Sequence, residues 1–301
     1  MPLAKTGMIN NTLVSILGRS LALKPNYDLH MPEKAYRSAP GLNYSHLKLM
    51  HQPFLYKQMV LEGKGKERTN SLSIGTAVHI HILEPHKKHH IKNLADYGHE
   101  DRKKWAAIRK LEADNPDDLF FSPKDYEAIN KMVTSVKLSQ QALKLYASGT
   151  WNEVSMFWRD PVHGFDCKGR ADTLNLEEGY VVDLKTTKDA KGFMKECVDY
   201  GYHIQAAFYL RGLKAITGRD FDWYWVAVDS ASPHFCYVYK ASLMTLEIGN
   251  YQTDEYMNKL SVCLETDVWP IGNEELIQGE LPGWYTARVL EKVQKYKEIT
   301  L

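Results

Sequence analysis

Residues 165–187 read FDCKGRADTLNLEEGYVVDLKTT, and the organisation of this stretch decides the fold. Two runs rich in alternating or β-branched residues, 165–176 and 180–184, flank the turn signal Glu177-Glu178-Gly179, so the stretch predicts a hairpin. Asp172 falls on its first strand. Asp183 and Lys185 fall on the second, two residues apart, and the period of two in a strand points both side chains to one face while Leu184 turns into the core. Val181, Val182 and Leu184 mark that strand as buried, a setting in which merely solvated charges explain Asp183 and Lys185 poorly.

Two carboxylates and the Leu184 backbone carbonyl make an oxygen-donor set that suits Mg²⁺, with Mn²⁺ as a substitute. Phosphodiester cleavage needs that chemistry. A cation acidifies water and neutralises phosphate oxygens, while Lys185 stabilises charge developing on the phosphoryl group. An Asp-x-Lys triplet alone recurs on solvated strands, and it is the second aspartate one hairpin upstream, in a buried setting, that lifts it. Four other residues read two ways. Glu153, just before a strand, adds a carboxylate or is a surface glutamate at a strand edge. His79, inside a helix, offers an imidazole to the same cation or is a partly buried helical histidine. Gln205 and Tyr209, four apart on one helix face, hydrogen-bond a phosphate or the lysine, or belong to an ordinary amphipathic helix.

Working outward, a strand over 154–158 precedes the hairpin. A helix over 202–216, strands over 223–228 and 235–239, and closing helices follow it. The order β-β-β-α-β-β framed by helices predicts an α/β sandwich, a central mixed sheet flanked by helices. Upstream, Asn43 caps a helical stretch over 43–60 that Pro53 ends or bends, and a helix over 71–83 stops at Pro85. Helical patterns also cover 13–23, 101–112 and 123–146, the last starting at Ser122 with Asp125. Between them, the histidines of 86–90 lack companion ligands and read as a solvated loop. The division expected is an N-terminal helical or extended segment over 1–35 and one domain over 36–301, with a helical part (36–150), a sheet core (151–240) and C-terminal helices (241–301).

With 301 residues, 44% of them hydrophobic and 25% charged, the chain is too apolar to be disordered. A net charge of +1 excludes global attraction to phosphate, so any nucleic-acid contact is local. Residues 1–66 carry a basic bias, Arg37 and Lys48 included. Cys167, Cys197, Cys236 and Cys263 form no CxxC pair, which excludes a zinc knuckle and a disulfide framework and points to a reducing cytoplasm. No run approaches membrane-spanning length.

Taken in order, these motifs resemble the PD-(D/E)xK nuclease superfamily, in its RecB-like branch, and within it the RecE-type exonucleases. Residues 36–41, Tyr-Arg-Ser-Ala-Pro-Gly, open the similarity, and residues 281–284, Leu-Pro-Gly-Trp, close it, with residues 263–270 also alike. The resemblance implies the PD-(D/E)xK fold. It gives His79, in Gly-Thr-Ala-Val-His, the role of a metal-ligating histidine and Glu153 that of the acidic residue opening the first strand. Asp172, in Gly-Arg-Ala-Asp, matches the first metal aspartate. Asp183 matches the second, beside the ligating Leu184 carbonyl, and Lys185 matches the catalytic lysine. Gln205 and Tyr209 match a Q-x-x-x-Y helix that lines a DNA cleft, and Arg37 and Lys48 are candidates for phosphate contacts. A processive Mg²⁺-dependent exonuclease is implied, degrading linear double-stranded DNA from its 5′ end and leaving a 3′ overhang for a single-strand annealing protein of RecT type. Also implied are a homo-oligomeric ring around the duplex and a phage or prophage origin in a bacterial cell. Two alternatives stand beside it: a Cas4- or AddB-like nuclease, which needs a cysteine-bound iron–sulfur cluster, and a catalytically inactive module that binds DNA ends.

Overall fold

The computed structural model describes residues 26–64, 70–99, 105–147, 149–272, 278–283, 285–286 and 289–290. Residues 1–269 and 270–301 form separate compact units, and in the second the amides of Tyr285 and Thr286 donate to the Pro282 carbonyl. The helix expected over 13–23 and the start of the one expected at 101 lie outside the described residues.

In chain order the first unit runs β1 (Asn26–Asp28), α1 (Glu33–Ser38), α2 (Tyr44–Leu47), α3 (Pro53–Tyr56), α4 (Asn70–Leu83), β2 (Ile91–Asn93), α5 (Trp105–Asp114), β3 (Leu119–Phe121), α6 (Pro123–Leu138) and α7 (Gln140–Leu145). It continues with β4 (Thr150–Arg159), β5 (Asp166–Asn175), β6 (Tyr180–Thr187), α8 (Phe193–Asp199), α9 (Tyr202–Thr217), β7 (Asp222–Asp229), β8 (Cys236–Lys240) and α10 (Leu243–Thr266). Six strands make one sheet in the order β1-β4-β5-β6-β7-β8. β6 and β7 pair in parallel and the other neighbours antiparallel, so the sheet is mixed, as expected. The parallel pair requires a crossover, and α8 with α9 supplies it.

β6 carries apolar residues on both faces because both are covered. Val181 enters the core layer that holds Phe208 and Leu213 of α9 and Met257 of α10. Val182 and Leu184 enter the opposite layer, with Ala77 and Val78 of α4 and Ile129 and Val133 of α6. Full burial of each such side chain contributes roughly 1.5–3 kcal/mol. The strand that carries Asp183 and Lys185 is thus held rigidly from both sides.

Local signals explain most helix ends. The side chain of Asn43 accepts from the His46 amide and caps α2, and Ser122 accepts from the Asp125 amide and caps α6. The helix expected over 123–146 is two helices, because Ser139 caps a new start by accepting from the Ala142 amide. The helical stretch breaks at Pro53 as expected: one helical segment stops at His51, Gln52 is extended, and Pro53 opens α3, its missing N–H being harmless in a first turn. Residues Pro85–His90, expected as a loop, form a 3-10 turn, and β2 pairs with β3 in a short parallel ribbon.

Candidate active site

The hairpin of β5 and β6 is paired only at its turn end, from Asn175↔Tyr180 to Thr173↔Val182. Beyond that rung the strands part, and the Asp172 carboxylate fills the gap, its Oδ2 accepting from the Leu184 amide at 2.9 Å. On the other side of β5, the register with β4 is unbroken from Thr150↔Asn175 to Arg159↔Asp166 except at one place. Glu153 and Asp172, which face each other there, are unpaired. Glu153 also adopts the left-handed conformation, with φ at 56°. That conformation costs a residue with a side chain about 1–2 kcal/mol. It turns the Glu153 carboxylate out of the ladder and toward Asp172.

α4 brings the third group. A Cβ on Gly75 would lie 3.1 Å from Thr186 Oγ1, so glycine lets this helix lie directly on β6. One turn on, His79 Nε2 stands 2.6 Å from the Leu184 carbonyl. A carbonyl only accepts, so Nε2 carries the proton and the Nδ1 lone pair is left free, 3.6 Å from Asp172 Oδ2. Ligand atoms of His79, Glu153 and Asp172 all lie within 4.8 Å of one another, and among the described residues this is the grouping of His, Cys, Asp and Glu able to hold a metal ion. Two carboxylates and an imidazole fit a divalent cation of the Mn²⁺ or Mg²⁺ kind, the nitrogen favouring the former. Burial and the Asp172 charge raise the Glu153 acid, while Arg170, 2.7 Å away, opposes them.

The other two residues of the motif are arranged as an ion pair. Asp183 is only 2% exposed. Lys185 Nζ hydrogen-bonds Asp183 Oδ1 at 2.8 Å, and it also lies 2.7 Å from Oδ2 without the angle of a second hydrogen bond. Burial pushes the Asp183 acid up to about 6, with Asp172 adding to the rise and Lys185 opposing it. Burial alone would lower the Lys185 amine, but Asp183, Asp172 and Tyr202 outweigh it and raise the amine. The ammonium sits 4.6 Å from the centre of the Tyr202 ring. Lys185 is therefore firmly cationic and fixed in place.

This grouping differs from the one expected. The sequence reading placed Asp183 and the Leu184 carbonyl with His79 and Asp172 as ligands and offered Glu153 as a further carboxylate or a surface glutamate. In the structure Glu153 joins His79 and Asp172, while Asp183 is engaged by Lys185 and the Leu184 carbonyl sets the His79 tautomer. Tyr209, expected at a DNA surface, is buried against Gly169, where a Cβ would meet its ring at 3.0 Å. Its hydroxyl is held by Gln205 and the Arg170 backbone. Gln205 itself is half-buried. Lys48 is exposed at its surface side, but enough protein surrounds its amine to lower it, with the Lys185 charge adding to the fall, whereas Arg37 is an exposed partner of Glu33. Sequence reasoning passed over Arg170 and Tyr202, although Arg170 alternates with Asp172 on the very strand that was quoted. The four cysteines are free and stand on four different elements.

A family model described as a PDDEXK-like domain of unknown function (DUF3799) matches residues 44–277. Among solved structures, a Eubacterium rectale protein provisionally described as an exonuclease matches with a TM-score of 0.60 and 14% identity, over 84% of this chain and 96% of its own. At that identity the likeness is one of fold. The alkaline exonuclease LHK-Exo of Laribacter hongkongensis matches with a TM-score of 0.26 and 15% identity, over 44% of this chain and 68% of its own. No curated protein matches. Among the described residues, no helix is long and apolar enough to cross a membrane.

Proposed function

The chain belongs to this family of PDDEXK-like domains, and we propose that it is a metal-dependent exodeoxyribonuclease that digests linear double-stranded DNA from the 5′ end. The observation that carries the proposal is the opening between β5 and β6, where Asp172 is fixed by the Leu184 amide, His79 and Glu153 converge on it, and the Lys185 ammonium stands beside it. His79, Glu153 and Asp172 hold the cation. Asp183 and the Leu184 carbonyl border the same opening and are further oxygen donors to it. When bound, the cation supplies charge neutralisation at the scissile phosphate and acidifies the attacking water.

Each residue then has a part that its geometry supports. Lys185, kept cationic by Asp183, stabilises charge on the phosphoryl oxygens as it develops. Nδ1 of His79 stays available as a ligand because Leu184 holds the other ring nitrogen as a donor. Gln205 faces the DNA backbone, and Tyr209, buried behind it, fixes its orientation. Lys48 and Arg37 provide exposed positive charge near the phosphates.

We propose further that copies of the chain assemble into a ring around the duplex and deliver the 3′ overhang to an annealing protein of RecT type. The row Met244, Ile248 and Tyr251 on α10 supports self-association, because these large side chains share one helix face and are exposed. The test of polarity uses a linear duplex labelled at either the 5′ or the 3′ end of one strand, with a covalently closed circle as control. Immediate release of label from the 5′ end, delayed release from the 3′ end and an intact circle are expected. Cleavage of the circle, or release from the 3′ end first, overturns the assignment.

A further inference from the structure

Arg170 lies between Glu153 and the N-terminal segment, and neither family likeness nor motif reading gives it a role. It is two residues before Asp172 on β5, and its guanidinium is shared among three acceptors. Nε donates to Glu153 Oε2 at 2.7 Å. Nη1 donates to Ser155 Oγ at 2.9 Å and to the Met31 carbonyl at 3.0 Å. The group also lies 5.6 Å from the centre of the Tyr36 ring. Its side chain is only 13% exposed, so these contacts are not screened as a surface pair would be.

Glu153 needs such a partner for two reasons. Its left-handed backbone takes it out of the β4–β5 register and aims its side chain toward Asp172, and side-chain contacts must then hold the carboxylate there. It also faces a second carboxylate, Asp172, across a short gap, which drives the two apart. We infer that Arg170 is the positioning residue of this site: it holds the Glu153 carboxylate against Asp172 and His79 and anchors that arrangement to the 29–36 segment. The rigid planar fork aims its donors at Glu153, Ser155 and Met31 in fixed directions, whereas an ammonium is a point charge on a flexible stem. Lys168, one alternation back on the same strand, gives a contrast. It ties the same segment down through the carbonyls of Tyr36, Arg37 and Ala39 but makes no contact with Glu153.

The inference rests on Glu153 being a ligand, and the test separates the two ideas. Mn²⁺ is titrated calorimetrically into the full chain and into Arg170→Met, Arg170→Lys, Lys168→Met and Glu153→Gln, alone and with Arg170→Met. Melting without metal and digestion of linear duplex are followed in parallel. Loss of a partner that orients a ligand lowers metal affinity by about 10–100-fold, which is the loss expected for Arg170→Met. Arg170→Lys falls between that variant and the wild type. Lys168→Met melts at a lower temperature yet binds Mn²⁺ as the wild type does, and Arg170→Met causes no further loss in the Glu153→Gln background. Wild-type affinity in either Arg170 variant, or an equal loss in Lys168→Met, overturns the positioning role and leaves the nuclease reading standing. Unchanged affinity in Glu153→Gln removes Glu153 as a ligand, and the role of Arg170 with it. Should Arg170→Met not fold, Arg170→Lys still decides the matter. Mn²⁺ binding with no digestion by the wild type overturns the nuclease reading alone.

Discussion

Asp183 holds its charge inside the sheet at neutral pH because Lys185 reaches it, and the proximity leaves a signature in stability. Burial raises the acid from its ordinary 3.8 to about 6 in the metal-free protein. Between those values the folded chain binds more protons than the unfolded one, so stability falls as pH rises through this window. A shift of that size amounts to roughly 3 kcal/mol. Urea unfolding of the metal-free wild type at several pH values is expected to show a loss on the order of 3 kcal/mol between about pH 4 and pH 7 that Asp183→Asn does not show. Equal pH dependence in the two proteins would rule out this origin. Gln205 makes the opposite kind of contribution. Gln205→Ala is expected to weaken DNA binding in a filter or anisotropy assay while leaving Mn²⁺ affinity intact, and a parallel loss of metal affinity would place Gln205 in the wrong role.

Among the elements, β5 carries most of the constraints. Its Gly169 accepts the Tyr209 ring, and a methyl there would stand 3.0 Å from Tyr209 Cε1 and 3.2 Å from Met156 Cε. Gly169→Ala is therefore expected to destabilise the fold by about 1–3 kcal/mol, read from chemical denaturation, and a neutral result would mean that α9 moves freely over β5. The same strand shows what a sequence discloses and what it does not. Alternation and the Glu-Glu-Gly turn made the β5–β6 hairpin, Asp172, Asp183 and Lys185 legible, because those signals are local. Glu153 was named as a further acidic candidate, but the geometry that brings it to Asp172 was not legible, because it depends on a left-handed residue on β4 and on the parting of β5 from β6 past Thr173. The three-residue strands β1, β2 and β3 are too short to show a period, and β2 and β3 are joined only through a partner far along the chain. The break at Pro53 was legible, but that a new helix starts there was not, since proline marks the end of one helix and the first turn of the next alike.

For the whole molecule, a net charge of +1 gives little general attraction to DNA, so the proposed binding relies on basic groups gathered at the site and on the proposed ring of copies around the duplex. Sedimentation of the wild type is expected to give a small multiple of 34.6 kDa, and the double variant Ile248→Glu and Tyr251→Glu a single copy. An unchanged assembly in that variant would remove the α10 face from the interface. Above these details stands the claim that the opening between β5 and β6 cleaves DNA with a divalent cation and Lys185. Its most direct test is digestion of a linear duplex with a 5′-phosphate in Mg²⁺, Mn²⁺, Ca²⁺ or EDTA, comparing the wild type with Lys185→Ala. Nucleotide release by the wild type in Mg²⁺ and Mn²⁺, none in EDTA, and none by Lys185→Ala under any condition is the expected result. No release by the wild type with either cation, or equal release by the variant, would contradict it.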